Sequence, residues 1–494
     1  MNRIMKPKTL SLAIAVLLLG GCTLIPKYEQ PQAPVAAQWP TGAAYRAQDV
    51  SASGQQAANV GWREFFTDPN LQRLIETALE NNRDLRVAAL NIQRAQAMYR
   101  IRQADRLPTV AIGASETAQR VPADLNASGR SMIVHQYGVT ANISNYELDF
   151  FGRVRSLNEQ ALELYFATEE AWRSARISLV SEVANAYLVW LADRQRLHVA
   201  QETLKSQQQS YDLIKTRYDL GVASELNLRQ AQTSVEMARV DAASYTTWVA
   251  RDENVLSLLL GTQALPEWLT ADKMEDLGAV IQLTAGEIPS AVLQQRPDVL
   301  AAEHQLKAAN ANIGAARAAF FPSITLTTSL GTASASLSGL FKAGSGVWSF
   351  VPQIGLPIFD SGRNLANLKV SETDRAIALA QYEKAIQSAF REVSDALAQR
   401  GTIDEQLAAQ KALTEATTAT FHLATARYEK GIDSYLNVLD AQRAMYAADL
   451  GLVSVRLAKQ MNQVALYKSL GGWGCQGLEG RGQESDVRGQ GSEP

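Results

Sequence analysis

Tyr218-Asp219-Leu220-Gly221-Val222-Ala223-Ser224-Glu225-Leu226-Asn227 recurs as Tyr428-Glu429-Lys430-Gly431-Ile432-Asp433-Ser434-Tyr435-Leu436-Asn437, an offset of 428 − 218 = 210. The same offset links Gly152 to Gly362, Glu182-Val183 to Glu392-Val393, Ala231-Gln232 to Ala441-Gln442, and Gly261 to Gly471. No gap interrupts that length, so the chain reads as an internal tandem repeat, the feature to settle before any element is assigned. Upstream, Asp84 and Pro108 match Asp298 and Pro322 at 214, so the first copy holds four additional residues between Pro108 and Gly152, as a loop would.

Glycine and proline punctuate both copies alike. Between Gly152 and Gly221 lie 68 residues with neither, and between Gly362 and Gly431 another 68 broken only by Gly401. Such runs predict helices of roughly 100 Å at about 1.5 Å per residue. Each copy also carries a 39-residue segment, 222–260 and 432–470, and a 24-residue one, 84–107 and 298–321. Together the two shorter helices nearly equal the long one, which suggests that they stack end to end beside it as a wall element. Leu157, Ala161, Leu164, Thr168, Trp172, Ala175, Leu179, Val183, Ala186 and Trp190 cover 33 residues in nine steps, about 3.67 per step. That period suits long helices side by side with little left-handed supercoil.

Between the 24-residue and 68-residue segments the apolar period drops to 2. Val110, Ile112 and Ala114 form one run and Tyr137, Val139, Ala141 and Ile143 a second. Ile324, Leu326, Thr328 and Leu330 form a third, and Trp348, Phe350, Pro352, Ile354, Leu356 and Ile358 a fourth. Strands of about 9 to 11 residues are expected, long enough to cross an outer membrane at a tilt, joined by exposed loops at 117–134 and 332–347. Tyr137, Trp348 and Phe350 suit either an interfacial aromatic girdle or ordinary packing. Four strands cannot close in lipid, where an open edge leaves backbone groups unsatisfied, so the chain must oligomerise. Two chains would supply 8 strands and three 12, and spacing alone does not choose.

Composition excludes several alternatives. Charge is nearly balanced, 47 Lys+Arg against 50 Asp+Glu, which leaves no footprint for nucleic acid. Two cysteines and four scattered histidines do not make a metal site, eight Met residues form no copper-binding cluster, and no Ser lies in a nucleophile elbow. His304 beside Glu303 in a predicted helix reads as a surface pair. Neither catalytic residues nor a cofactor is expected, and the protein is not read as an enzyme. Arg3, Lys6 and Lys8 precede the apolar run Leu10–Leu19, the layout of a secretory signal over 1–21. Leu19-Gly20-Gly21-Cys22 has the form of a lipobox, which makes Cys22 the diacylglycerol- and palmitate-bearing mature N-terminus. Thr23 follows in place of the Asp that is associated with inner-membrane retention in the bacterial lipoproteins this segment resembles, so sorting to the outer membrane is expected.

The Cys22 lipobox, Gly61-Trp62-Arg63-Glu64-Phe65-Phe66, Asn81-Asn82-Arg83-Asp84-Leu85, Tyr146-Glu147-Leu148-Asp149, Arg296-Pro297-Asp298, Ala315-Ala316-Arg317-Ala318-Ala319-Phe320-Phe321-Pro322 and Asp440-Ala441-Gln442-Arg443 resemble the TolC-like outer-membrane efflux factors. The OprM/NodT-type lipoproteins are the nearest subgroup, and the likeness runs from about residue 10 to Gly472. It implies a mixed membrane α+β fold: a homotrimer sharing one 12-stranded transmembrane β-barrel, four strands per chain, continued by a long α-helical barrel into the periplasm. It implies as partners a periplasmic adaptor (membrane fusion protein) and an inner-membrane RND drug/proton antiporter. The expected organisation is a signal peptide 1–21, a lipidated extended arm 22–60 and a first repeat 61–261 with hairpin about 109–151 and helices 153–220 and 222–260. An inter-repeat equatorial segment 262–297, a second repeat 298–472 with hairpin about 323–361 and helices 363–430 and 432–470, and a tail 473–494 with Cys475 complete it.

The implied function is the outer-membrane exit duct of a tripartite pump passing antibiotics, solvents or other toxic small molecules. A duct for type I protein secretion is the alternative, and a periplasmic coiled-coil adaptor lipoprotein a weaker one, since an adaptor would lack the paired strands. Leu436, Asp440 and Arg443 fall at i, i+4 and i+7 on one helical face, where the resemblance assigns a periplasmic gate. On spacing alone the same residues make a solvated Asp–Arg pair. Copy one has Leu226, Gln230 and Thr233 there, keeping the leucine without the charges. The hairpin tips Gly221, Val222, Ala223, Ser224 and Gly431, Ile432, Asp433, Ser434 are the expected adaptor contacts.

Overall fold

The computed structural model describes residues 23–45, 61–269 and 290–472. Cys22, the signal segment and the tail with Cys475 lie outside the described residues, as do parts of the arm and of the inter-repeat segment. In chain order the elements are α1 (Trp62–Phe65), α2 (Pro69–Asn81), α3 (Arg83–Ala104), β1 (Val110–Val121), β2 (Met132–Glu147), α4 (Arg153–Asp219) and α5 (Glu225–Leu260). They continue as α6 (Pro297–Ala318), β3 (Ser323–Ser334), β4 (Gly346–Gly355), α7 (Arg363–Glu429) and α8 (Tyr435–Ser469). Helices α4 and α7 each contain 67 residues, and Gly401 does not interrupt α7. Among the described residues no helix is long and apolar enough to cross a membrane.

The chain forms two compact units, and each draws on both halves of the sequence. Of the described residues, one comprises 23–32, 91–169 and 301–383, the other 33–45, 61–90, 170–269, 290–300 and 384–472.

The first unit holds the sheet, four antiparallel strands in the order β1-β2-β3-β4. Its strands differ from the sequence expectation in two ways. β4 has 10 residues, within the expected 9 to 11, but β1, β2 and β3 have 12, 16 and 12; the β1–β2 ladder runs on to Val121↔Met132 and leaves a connection of only 122–131. A backbone ladder needs no apolar alternation once it leaves the apolar band, so the pattern under-reports its length. In the other hairpin β3 reaches Ser334 and β4 ends at Gly355, so Leu356 and Ile358 lie beyond the strand.

The register sorts side chains cleanly, since directly paired residues share a face. Val110, Ile112 and Ala114 stand beside Ile143, Ala141 and Val139; these neighbour Thr328, Leu330 and Thr332; and Ile324, Leu326, Thr328 and Leu330 oppose Ile354, Pro352, Phe350 and Trp348. The opposite face carries Gly113, Ser115, Thr140, Asn142, Thr325, Thr327, Ser329, Ser349 and Gln353. A bulge between Ile143 and Tyr146, with Asn145 at φ 53°, adds a residue to β2 and keeps Tyr146 beside Leu326 on the apolar side. In the same unit the arm runs along α6: Asn310 donates to the Pro26 carbonyl at 2.7 Å and Tyr28 to Glu303 at 3.1 Å. A Cβ on Gly314 would lie 2.6 Å from Ile25, so glycine is what admits the arm there.

The second unit has a conventional core. Leu71, Leu74, Ile75 and Ala78 line one face of α2 and pack with Trp62, Phe66, Val183, Tyr187, Leu188, Leu256, Leu260 and Tyr467. Asp68 caps α2, accepting from the Asn70 and Leu71 amides at 2.7 and 3.3 Å, and also accepts the Tyr187 hydroxyl at 2.9 Å. Arg296 is buried yet fully engaged, donating to Asp298 at 3.0 and 2.8 Å, to Glu392 at 2.9 Å and to the Ser469 carbonyl at 2.7 Å.

Candidate functional site

Two helical hairpins, α4–α5 and α7–α8, turn at glycines in the left-handed region, Gly221 at φ 75° and Gly431 at φ 73°. The Val222 amide reaches back to the Arg217 carbonyl at 2.9 Å and the Ile432 amide to that of Arg427 at 3.0 Å, so both turns tie off the last carbonyls of a long helix in the same way. Ser224 caps α5 by accepting from the Asn227 amide at 3.3 Å, while Ser434 at the start of α8 makes no such bond. Val222 and Ile432 project into solvent, 74% and 59% exposed.

Below the tips Ile214, Ala231, Tyr435, Val438 and Leu439 form a small core, supported by Tyr211, Leu228, Phe421 and Tyr428. That core orients the rest of α8. With Tyr435, Val438, Leu439, Ala441 and Gln442 buried, Leu436, Asp440 and Arg443 are left together on the exposed face. Asp440 and Arg443 form an ion pair at 3.5 Å, both more than half exposed. An exposed i,i+3 pair contributes only about 0.2 to 0.5 kcal/mol, so the contact stabilises little by itself and is free to exchange partners. Their counterparts on α5 differ little in setting: Leu226 and Thr233 are exposed, and Gln230 is half-buried.

Two polar contacts beside the tips have no counterpart among the sequence expectations. Arg217 donates to the Tyr428 hydroxyl at 3.0 Å and lies over its ring, joining the two hairpins. Arg427, which matches Arg217 at the 210-residue offset, instead bonds Asp433 at 2.5 and 3.2 Å within its own tip. That hydrogen bond holds the Asp433 carboxyl below its usual range. The 210-residue offset in the sequence carries the signal: arginines matched at that offset accompany Ala223 in one tip and Asp433 in the other. His304 accompanies Glu163 at 2.6 Å and packs on Phe166, so its partner is a carboxylate of α4 rather than its neighbour Glu303. Among the described residues no group of His, Cys, Asp and Glu could hold a metal ion.

Among the described residues, an amphipathic four-stranded sheet with both edges open stands together with paired long helical hairpins, an unusual combination for one chain. The sequence profile described as outer membrane efflux protein matches residues 74–262 and 288–472. The chain belongs to the outer membrane efflux protein family. This efflux protein is 51% identical over 468 residues to the "Antibiotic efflux pump outer membrane protein ArpC" of Pseudomonas putida, covering 95% of this chain and 96% of that one. It is equally similar, 51% over 468 residues with the same coverage, to the "Toluene efflux pump outer membrane protein TtgC" of Pseudomonas putida. The solved open state of the Neisseria gonorrhoeae MtrE outer membrane channel matches it with a TM-score of 0.81 at 38% identity, over 92% of this chain and 99% of that one. The efflux protein is thus an outer-membrane channel of a tripartite efflux pump.

Proposed function

We propose that three copies of this chain close a shared 12-stranded barrel in the outer membrane and continue it as a helical duct through which antibiotics, solvents and similar toxic small molecules leave the cell. The observation that carries this reading is the sheet. Among the described residues, four strands end in two free edges, β1 and β4, and one face is apolar from edge to edge. In lipid, unpaired edges cost several kcal/mol per backbone group, so β4 of one chain must pair with β1 of the next. The cargo class is suggested by relatives named for antibiotic and toluene efflux. The tandem repeat fits the same assembly, because two similar hairpins per chain supply six near-equivalent hairpins around the axis. Cys22 would carry the lipid anchor.

The gate would be the ring formed by Leu436, Asp440 and Arg443, with the second hairpin supplying its charges, while the tips around Gly221–Ser224 and Gly431–Ser434 meet a periplasmic adaptor and, through it, an RND antiporter. The deciding experiment is the mass and conductance of the purified protein. A particle of three chains that conducts in planar bilayers is expected; a monomer without conductance would reject the reading. A type I secretion duct has no specific observation in its favour here.

A further inference from the structure

The helix-proximal ends of the strands enclose a cavity of about 270 Å³, small for a drug-sized molecule and of a size for a headgroup. It is lined by the ends of β2 and α4, of α6 and β3, and by the stretch between β4 and α7. Its three carboxylates are already committed. Glu147 accepts from Arg153 through both oxygens, and Asp149 accepts the Val154 and Arg155 amides at 3.1 and 2.8 Å as well as the Arg155 guanidinium. Asp360 accepts the Asn364 and Gly362 amides at 2.9 and 3.0 Å, which keeps its carboxyl below the usual range, with the charge of Arg363 adding to the effect.

Arg363 also lines the cavity, and among the described residues its guanidinium has no hydrogen bond or ion pair. An exposed planar group with five donors and no protein partner among the described residues, next to acids whose oxygens are occupied, is a receptor for an oxyanion. The surroundings are apolar. Phe151 stacks on Phe321 at 4.8 Å in the wall, and just outside, Ile358 and Phe359 are 93% and 87% exposed. Two large apolar side chains exposed in the single chain, next to an exposed arginine and at the end of an apolar strand face, match the layering of a membrane interface.

We propose that this cavity binds the phosphate of a membrane glycerophospholipid on Arg363, with an acyl chain lying over Ile358 and Phe359. The inference rests on the strands crossing the membrane. It adds a lipid site, one per chain, that pins the strand-to-helix junction at the bilayer surface.

The test uses the full-length protein in detergent, delipidated and then titrated with dioleoylphosphatidylglycerol, with retained lipid counted by native mass spectrometry. Wild type is expected to retain one lipid per chain, Arg363→Gln at least tenfold less, and Arg363→Lys an intermediate amount. Arg391→Gln, which alters an exposed i,i+4 pair on α7, should match wild type. Phe359→Ser, which leaves the guanidinium in place, should also reduce retention and guards against a folding defect in Arg363→Gln. Retention by Arg363→Gln equal to wild type would overturn the proposal, and so would displacement of the lipid by equimolar inorganic phosphate, which would mark a free-anion site. Planar-bilayer conductance of the same preparations separates the two levels: wild type that neither conducts nor inserts refutes the channel reading, whereas conducting protein that ignores the lipid refutes only this site.

Discussion

Asp252 on α5 and Asp193 on α4 face each other, and Asp252 Oδ2 finds no donor among the described residues. Two ionised carboxylates cannot hydrogen-bond; one proton between them makes the contact favourable. Burial first, then the charge and hydrogen bond of Asp193, push the Asp252 carboxyl up to about 6, with Glu253 adding to the shift and Arg196, which pairs with Asp193, opposing it. The folded state therefore binds more protons than the unfolded chain between the ordinary aspartate range and about pH 6, and stability falls as pH rises through that window. Asp252→Asn is expected to flatten this dependence and raise the melting temperature at pH 7.5, as thermal scans from pH 4.5 to 7.5 would show. At the exposed face of α8, Asp440→Ala or Arg443→Ala should increase closed-state conductance in planar bilayers. Unchanged closed-state occupancy in both variants would remove these residues from the gate.

Among the elements, α2 shows what a repeat conceals. Leu71, Leu74, Ile75 and Ala78 carry the i, i+3, i+4, i+7 spacing of an amphipathic helix, preceded by Asp68 as cap and Pro69 at the first helical position. These signals are complete, but α2 precedes Asp84, the first position matched between the two halves, so neither the offset nor the glycine punctuation points to it. Leu74 is wholly buried, so Leu74→Ala should cost about 2 to 5 kcal/mol, read as a lowered melting temperature of the purified protein. The ends of α4 and α7 are legible because glycine marks them, Gly221 and Gly431 needing positive φ. The strand ends are not, because hydrogen-bonded ladders continue through Glu116, Gln119 and Arg120 where no apolar side chain is demanded. Of the candidate site, the shared face of Leu436, Asp440 and Arg443 follows from spacing. The Arg217–Tyr428 contact joins residues 211 apart, a pairing set by how the hairpins pack and not by any local pattern.

For the whole molecule, the two faces of the sheet give opposite expectations for neighbouring positions on one strand. Ile112 belongs to the apolar face and Ala111, one residue away, to the polar one. An arginine at a lipid-facing site costs about 2 to 4 kcal/mol near the bilayer midplane, so Ile112→Arg should deplete assembled protein in the outer-membrane fraction. Ala111→Arg should insert and alter single-channel current instead. The open edges at β1 and β4 have a genetic corollary. If each pore wall is built from three chains, a copy that assembles but cannot open poisons every ring it enters. Equal co-expression of a shut variant with wild type would leave only about one ring in eight free of it. Alleles of this kind should behave as dominant inhibitors of drug resistance, and their potency would count the subunits in a living cell.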